Sequence, residues 1–221
     1  LAGGNAIKVP DSVPDEAAAL SEPLSCAINA QALAGVKAGD RVLVIGGGPL
    51  GALNAELAKA RGTADVMIVQ RSEPRLSLLR RLRGITVIDG ASQDVLSAVK
   101  DGTDGMGADV VIVCAPARDA QEEALHYARK GGAISLFASM PKDASAFTLD
   151  SRLIHYGELR LVGASDSRPE HVAAAVDLMA QNRIDTAAII THRVALADLH
   201  AGLELMKTRQ SLKVMVYPRD Q

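Results

Sequence analysis

The sequence predicts an α/β protein built on a doubly wound parallel sheet, with a C-terminal segment that leaves that sheet. Two observations predict it. From residue 40 onward, short β-rich runs alternate with helical stretches, the order of a parallel sheet flanked by helices. The strand runs are also apolar throughout instead of alternating, as strands covered on both faces are.

Arg41 to Ile45 (RVLVI) is the first buried strand, followed by Gly46-Gly47-Gly48 and a helix from Pro49 to about Ala60. Proline suits a first helical position, because the N–H it lacks would be unpaired there anyway. Val66 to Val69 is the second strand, with helical LSLLRRLR after it, and Ile85 to Ile88 the third. Asp109 to Val113 and Ala133 to Phe137 give two more, separated by a helix around Ala120 to Ala128. Leu159 to Val162 is a sixth, after which Ser167-Arg168-Pro169-Glu170 has the Ser-x-x-Glu spacing of a capping box. The helix it opens carries Val172, Val176 and Met179 on one face; then come strand-like IITHRVAL, a helix with Leu199, Leu203 and Met206, and a last strand, LKVMVY. Both stripes read as packing faces.

The loop Gly46-x-Gly48-x-x-Gly51 directly follows a strand and opens a helix, the context in which this spacing marks a dinucleotide site and a Rossmann-type fold. The first glycine permits the tight turn, the second lets backbone approach a pyrophosphate, and the third lets helix and strand pack closely. Free N–H groups at the helix start face the phosphates, aided by the helix dipole. The plain alternative is a glycine turn kept for packing alone. An NTPase loop needs Gly-Lys-Ser/Thr, where this chain has Gly51-Ala52-Leu53. A Tyr-x-x-x-Lys pair is absent too: Tyr156 is followed by Arg160, and Tyr127 has Lys130 at the wrong spacing.

Composition excludes other classes. Aromatics are 2% with no Trp, and the net charge is −2, so neither base-stacking platforms nor a basic face for nucleic acid is expected. No apolar run is long enough for a membrane span, and no signal peptide is visible. Cys26 and Cys114 form no metal-ligand or disulfide spacing, which fits a reducing cytoplasm. The chain begins LAGGNAIKVPDS, without Met, and reads as the middle of a longer protein.

Taken together, several blocks resemble the medium-chain, zinc-dependent alcohol and polyol dehydrogenases. NAIKVPDSVPDEAAALSEPLSCAINA, with Glu22-Pro23-Leu24, resembles the sorbitol-dehydrogenase-like branch, and VKAGDRVLVIGGGPLG its first strand and loop. RKGGAISLFASM, LIHYGELRLVGAS and AIITHRVALADLHAGLELMKTRQSLKVMVY resemble its later blocks, so the likeness covers nearly the whole chain. The resemblance implies hydride transfer between a secondary alcohol or ketone and a nicotinamide cofactor, with a zinc that polarises the alcohol oxygen. It implies that most zinc ligands belong to an N-terminal catalytic domain whose Cys and Gly-His-Glu motif this sequence lacks. On that reading residues 1–25 end the catalytic domain, 26–163 form the dinucleotide-binding domain, and 164–221 return toward the catalytic domain. The chain alone is then expected to be inactive, and the apolar stripes of its two late helices to lack part of their cover.

Carried over residue by residue, the resemblance places Glu22 beside the zinc and Cys26 against the nicotinamide, each with an ordinary surface or core role as the alternative. Gly46, Gly48, Pro49, Leu50 and Gly51 form the pyrophosphate loop, Leu50 donating its backbone N–H. Cys114, Ala115, Phe137, Ala138 and Ser139 line the nicotinamide side, at strand ends where open α/β sheets bind ligands. Lys213 matches a basic residue that reaches the pyrophosphate. His192 and His155 are read as structural. Asn29 and Val113 depart from the branch, which often has His and Glu there, and this puts a specific polyol in doubt.

The second strand ends MIVQRSEPR, and Gln70 stands about 20 residues after the loop, where an acid normally holds the ribose hydroxyls. Neutral Gln70 would not repel a 2′-phosphate. Arg71 and Arg75 carry the paired donors that bind one, and Ser72 adds a hydroxyl. NADP is therefore expected over NAD. The strand around Leu159 to Val162, as a sheet edge, predicts a homodimer with a continuous sheet. Two other classes share the glycine loop, a regulatory nucleotide-sensing module and an S-adenosylmethionine-dependent methyltransferase, but neither explains the Glu-Pro-Leu head or the Thr-His-Arg tail.

Overall fold

Helices α1 (Asp15–Ala18) and α2 (Ser21–Ala34) lead into the sheet in a computed structural model that describes residues 6–218. The first five residues of the 1–25 segment and the last three of the 164–221 segment lie outside the described residues. Gly35 ends α2 in the left-handed conformation, φ 78°, that helix C-termini favour and glycine adopts without strain. Then follow β1 (Arg41–Ile45), α3 (Pro49–Ala60), β2 (Asp65–Gln70), α4 (Glu73–Leu79), β3 (Thr86–Asp89), α5 (Val95–Asp101), β4 (Ala108–Val113), α6 (Arg118–Tyr127), β5 (Ala128–Leu136), α7 (Ser151–Gly157) and β6 (Arg160–Gly163). The strands form one six-stranded sheet in the order β3-β2-β1-β4-β5-β6, and every pairing is parallel. The order reverses between β1 and β4, and this switch point is where doubly wound sheets bind ligands.

Side chains alternate across the sheet and fill two apolar layers. Val42, Val44, Ile68 and Ile112 face α2 and α3, whereas Leu43, Ile45, Met67 and Val111 face α5 and α6. Each face thus has its own cover, which explains why the strands read as unbroken apolar runs.

The tail continues with α8 (Pro169–Ala180), α9 (Thr186–Ile189), β7 (Ile190–Ala195), α10 (Leu199–Lys207) and β8 (Lys213–Tyr217); β7 and β8 pair in parallel as a separate sheet. Helix α8 packs on α2, and Ile189, Ile190, Leu212 and Met215 join the core on that side. A buried carboxylate joins the tail to the main sheet. Glu56 of α3 accepts from the Asp185 N–H at 3.1 Å and from Lys59 Nζ at 2.6 Å, with no exposed surface of its own. The boundary expected between residues 25 and 26 falls inside α2, and Leu20 and Leu24 share a core with α3 and the tail.

Several local expectations change. Ser167 is not a helix cap; Arg168 is the N-cap of α8 and its N–H donates to His171 Nδ1 at 3.3 Å. The Ser167 hydroxyl oxygen instead accepts from Ser25 Oγ at 2.7 Å, a long-range bond that outcompetes the local one. Helix α4 starts at Glu73 and ends at Leu79, earlier than the LSLLRRLR reading, because Pro74 suits its first turn. The stripe of α8 is covered, with Val176 and Met179 buried, but α10 leaves Leu199, Leu203 and Met206 exposed. No helix among the described residues is long and apolar enough to cross a membrane.

Candidate functional site

The carboxyl ends of β1, β2 and β4 open into a cleft of about 400 Å³. Those of β4, β5 and β6, with the first turn of α2, open into a second of about 830 Å³. Cys114 and Pro116, just beyond β4, line both, so the two form one trough across the switch point.

The loop beneath the first cleft depends on its glycines in different ways. Gly46 has φ 102°, and a Cβ there would lie 2.8 Å from the Ala115 nitrogen. At Gly51 an added Cβ would fall 1.9 Å from the Gly46 carbonyl oxygen, so helix and loop touch backbone to backbone. At Gly47, to which the fingerprint assigns nothing, a Cβ would meet Leu79 Cδ1 at 2.2 Å, a side-chain tip instead of backbone. Gly48 has room, the nearest atom being Arg75 Nη1 at 3.6 Å, and this opening faces the cleft. Pro49 is the first residue of α3. Leu50, 40% exposed, lines the second cleft, and its carbonyl accepts from Asn54 Nδ2 at 2.9 Å.

At the tip of β2 the Gln70 side chain turns back on its own chain. Its Oε1 accepts from the N–H groups of Arg71 at 2.7 Å and Ser72 at 3.0 Å, fixing the β2–α4 corner. Ser72 is the N-cap of α4 and makes no side-chain capping bond. Arg71 reaches across the cleft to α6, with Nη1 donating to Asp119 Oδ2 at 2.8 Å and Nη2 lying 3.6 Å from Glu123 Oε2. The hydrogen bond that Arg71 donates to Asp119 raises the Arg71 pKa, and the same bond lowers that of Asp119. Arg75 differs. It is half-buried in the cleft, and its Nε is buried without a hydrogen-bond partner among the described residues. Burial, then the charge of Arg209, pulls its pKa down.

Arg209 lies beyond α10, at φ 60°, and lines the same cleft. Lys213 begins β8 and lines none of the cavities described here; its carbonyl accepts from Thr191 Oγ1 at 3.3 Å. The basic residue that the tail brings to the cleft is thus Arg209, four positions earlier. No spacing rule points to it, since it arrives through tertiary packing. Asp119, Glu123 and Tyr127 were likewise invisible in the sequence as cleft residues.

In the second cleft Phe137, Ala138 and Ser139 meet Glu22, Cys26 and Leu50; the sequence reading puts Leu50 in the pyrophosphate loop and Ala115 beside Phe137, whereas Ala115 lines the first cleft. Cys26 Sγ donates to Glu22 Oε1 at 3.5 Å; burial and the nearby carboxylate push the thiol pKa up. Burial likewise raises the Cys114 thiol, against which the Asn54 Nδ2 contact at 3.6 Å works. Both thiols stay protonated at neutral pH and are poor nucleophiles. Asn29 ties α2 to the turn after β6, donating to the carbonyls of Ser165 at 3.3 Å and Asp166 at 2.9 Å. Glu22 is exposed, and no group of three or more metal-ligating side chains exists among the described residues. His192 Nδ1 lies 3.0 Å from Thr191 Oγ1, and His155 stacks edge-on to Tyr156, away from both clefts.

Strand order, glycine loop and a trough at the switch point define a Rossmann-type α/β protein. Its family is equally definite. The family profile described as zinc-binding dehydrogenase matches residues 49–181, more than half of the chain, and the chain belongs to that family. A sorbitol dehydrogenase of Halalkalibacterium halodurans is 28% identical over 213 residues, covering 96% of this chain and 62% of the relative. An L-threonine 3-dehydrogenase of Thermococcus kodakarensis is 33% identical over 217 residues, 97% of this chain and 61% of the relative. Among solved structures, a zinc-binding dehydrogenase of Sinorhizobium meliloti bound to NADP superposes with a TM-score of 0.84 at 26% identity, over 96% of this chain and 62% of that one. The 2R,3R-butanediol dehydrogenase of Bacillus subtilis gives 0.87 at 26% identity, over 96% and 60%. The chain therefore spans about three-fifths of the length of the relatives it matches.

Proposed function

We propose that this chain is the cofactor-holding part of a zinc-dependent alcohol or polyol dehydrogenase that takes NADP in preference to NAD. The observation that carries this reading is Arg75: a guanidinium whose buried Nε has no partner, placed beside the open face of Gly48 with Arg209 in the same cleft. A buried donor left unpaired is unfavourable by ~1–3 kcal/mol, so an anionic ligand at this position satisfies it. Gly46, Gly48 and the N–H of Leu50 would face the pyrophosphate, Arg71 and Arg75 the 2′-phosphate, and Cys114, Phe137, Ala138 and Ser139 the nicotinamide side. When bound, the nicotinamide accepts or gives the hydride; the chain's part is to orient it and hold it in the trough.

The described residues do not by themselves build a metal site. Glu22 is proposed only as an acid at the mouth of the second cleft, where the substrate alcohol or ketone would lie. Strand β6 is a sheet edge, and we assign it to a homodimer, to be checked by light scattering. Two free cysteines accord with a cytoplasmic protein. The reading is tested by titrating NADP and NAD against the chain. NADP is expected to bind more tightly, and Arg71→Ala to weaken NADP far more than NAD. Failure of both cofactors to bind would sink the proposal.

A further inference from the structure

The first cleft contains a contact that a cofactor site would not need for packing. Asp119 and Glu123 are four residues apart on α6, so they project from one face of the helix, and Tyr127 stands one turn beyond. Tyr127 OH donates to Glu123 Oε2 at 3.1 Å and holds that carboxylate beside Arg71. The Arg71 guanidinium thus spans the cleft mouth, engaged by Asp119 at 2.8 Å and by Glu123 at 3.6 Å. All three charged side chains are about half exposed and can rearrange without disturbing the core.

The chemistry of the two cofactors differs at the atoms that would meet this cluster. A ribose diol is neutral and asks nothing of the ion pair. A 2′-phosphate must take Arg71 from its carboxylates. Resting on the proposed cofactor reading, we propose that Asp119, backed by Glu123, is a positioning residue that sets the preference between the two cofactors. It holds Arg71 across the cleft and so moderates the phosphate affinity that Arg71 supplies. The acid missing from the tip of β2 has a counterpart on the opposite wall, acting on the arginine instead of the ribose.

NADP and NAD are titrated separately against the unmodified chain, Asp119→Asn, Asp119→Glu, Arg71→Ala and the double variant Asp119→Asn/Arg71→Ala. Asp119→Asn is expected to tighten NADP about fivefold, the change that the ~1 kcal/mol of a good exposed ion pair converts to, with NAD nearly unmoved. Asp119→Glu keeps a carboxylate within reach and is expected to retain the original ratio. In the Arg71→Ala background the gain is expected to vanish. An unchanged ratio in Asp119→Asn, or a gain that survives removal of Arg71, overturns the inference while leaving the cofactor reading intact. Binding of neither cofactor by the unmodified chain overturns that reading, and the inference with it. Thermal unfolding of each variant confirms that a folded chain is being titrated, since Asp119 lies in the exposed first turn of α6.

Discussion

Replacing Gly51 by alanine separates the packing role of the glycine loop from its proposed ligand role. The new Cβ would lie 1.9 Å from the Gly46 carbonyl oxygen and 3.0 Å from its carbon. Both are backbone atoms, so α3 or the loop must move to relieve the overlap. Overpacking of a well-packed site is unfavourable by ~1–3 kcal/mol, and an overlap with backbone belongs at the upper end. Alanine in place of glycine within a helix returns ~1 kcal/mol, which leaves a net loss of ~2 kcal/mol. For a chain of this size that lowers Tm by about 4–8 °C. Gly163→Ala in β6 is the matched control: nothing lies within 4 Å of its added Cβ, so its Tm should move by about 2 °C or less. Calorimetric scans without ligand measure both. An unchanged Tm in Gly51→Ala would show that the helix–loop approach is looser than described, and the packing argument would fail. Scans with NADP then read the ligand role, because a ligand that binds only the folded state raises Tm with its concentration.

Arg75→Ala should weaken NADP by about tenfold with NAD little moved, and Arg209→Ala should weaken both cofactors by about tenfold or less, one charge-assisted hydrogen bond being worth ~1.5 kcal/mol; unchanged NADP affinity in either variant by equilibrium titration counts against that residue's part in the site. Asp109 loses solvation on burial, which alone would raise its pKa, yet donors from the Arg41 N–H at 2.7 Å and from Arg129 win and lower it. Because the folded-state value lies below the unfolded one, Asp109 stabilises the fold above the ordinary carboxylate range, and this contribution is lost as pH falls through the lowered value. Asp109→Asn should therefore flatten the acid limb of a Tm-against-pH curve; parallel curves would refute the assignment. Leu203→Lys on exposed α10 should shift stability by about 0.5 kcal/mol or less, read by urea denaturation, since that side chain is 41% exposed.

The doubly wound parallel sheet and the glycine loop were legible because both obey local rules. Apolar runs of strand length between helical stretches left few topologies, and a parallel connection is right-handed. Boundaries slipped where a local preference met a tertiary one. Ser167 has the spacing of a cap, but Ser25 on α2 offers its hydroxyl a partner that no window of sequence contains. Helix α10 shows the reverse. Its stripe of Leu199, Leu203 and Met206 has packing periodicity, yet in this chain it faces outward, because periodicity records that a face is apolar and not what covers it.

The site divides along the same line. Gly46 and Gly48 of the strand–loop–helix unit, and Arg75 just beyond the tip of β2, line the cleft through local geometry that spacing in the sequence follows. Arg209 and the α6 carboxylates could not be placed in this way, because they arrive from elements folded in from elsewhere. Arg71 shows what that difference does to a mechanism. Read along the chain it is a free cation beside a missing acid; in the fold it is already paired at 2.8 Å. Its affinity for a phosphate is therefore a difference between two ionic partners, as specificity generally is. Arg75 has no such competitor among the described residues, its Nε having no partner there. On the proposed reading Arg75 then meets the 2′-phosphate without a competitor and Arg209 adds charge to the same cleft, whereas the strength of the preference is moderated at Arg71 and the helix that holds it.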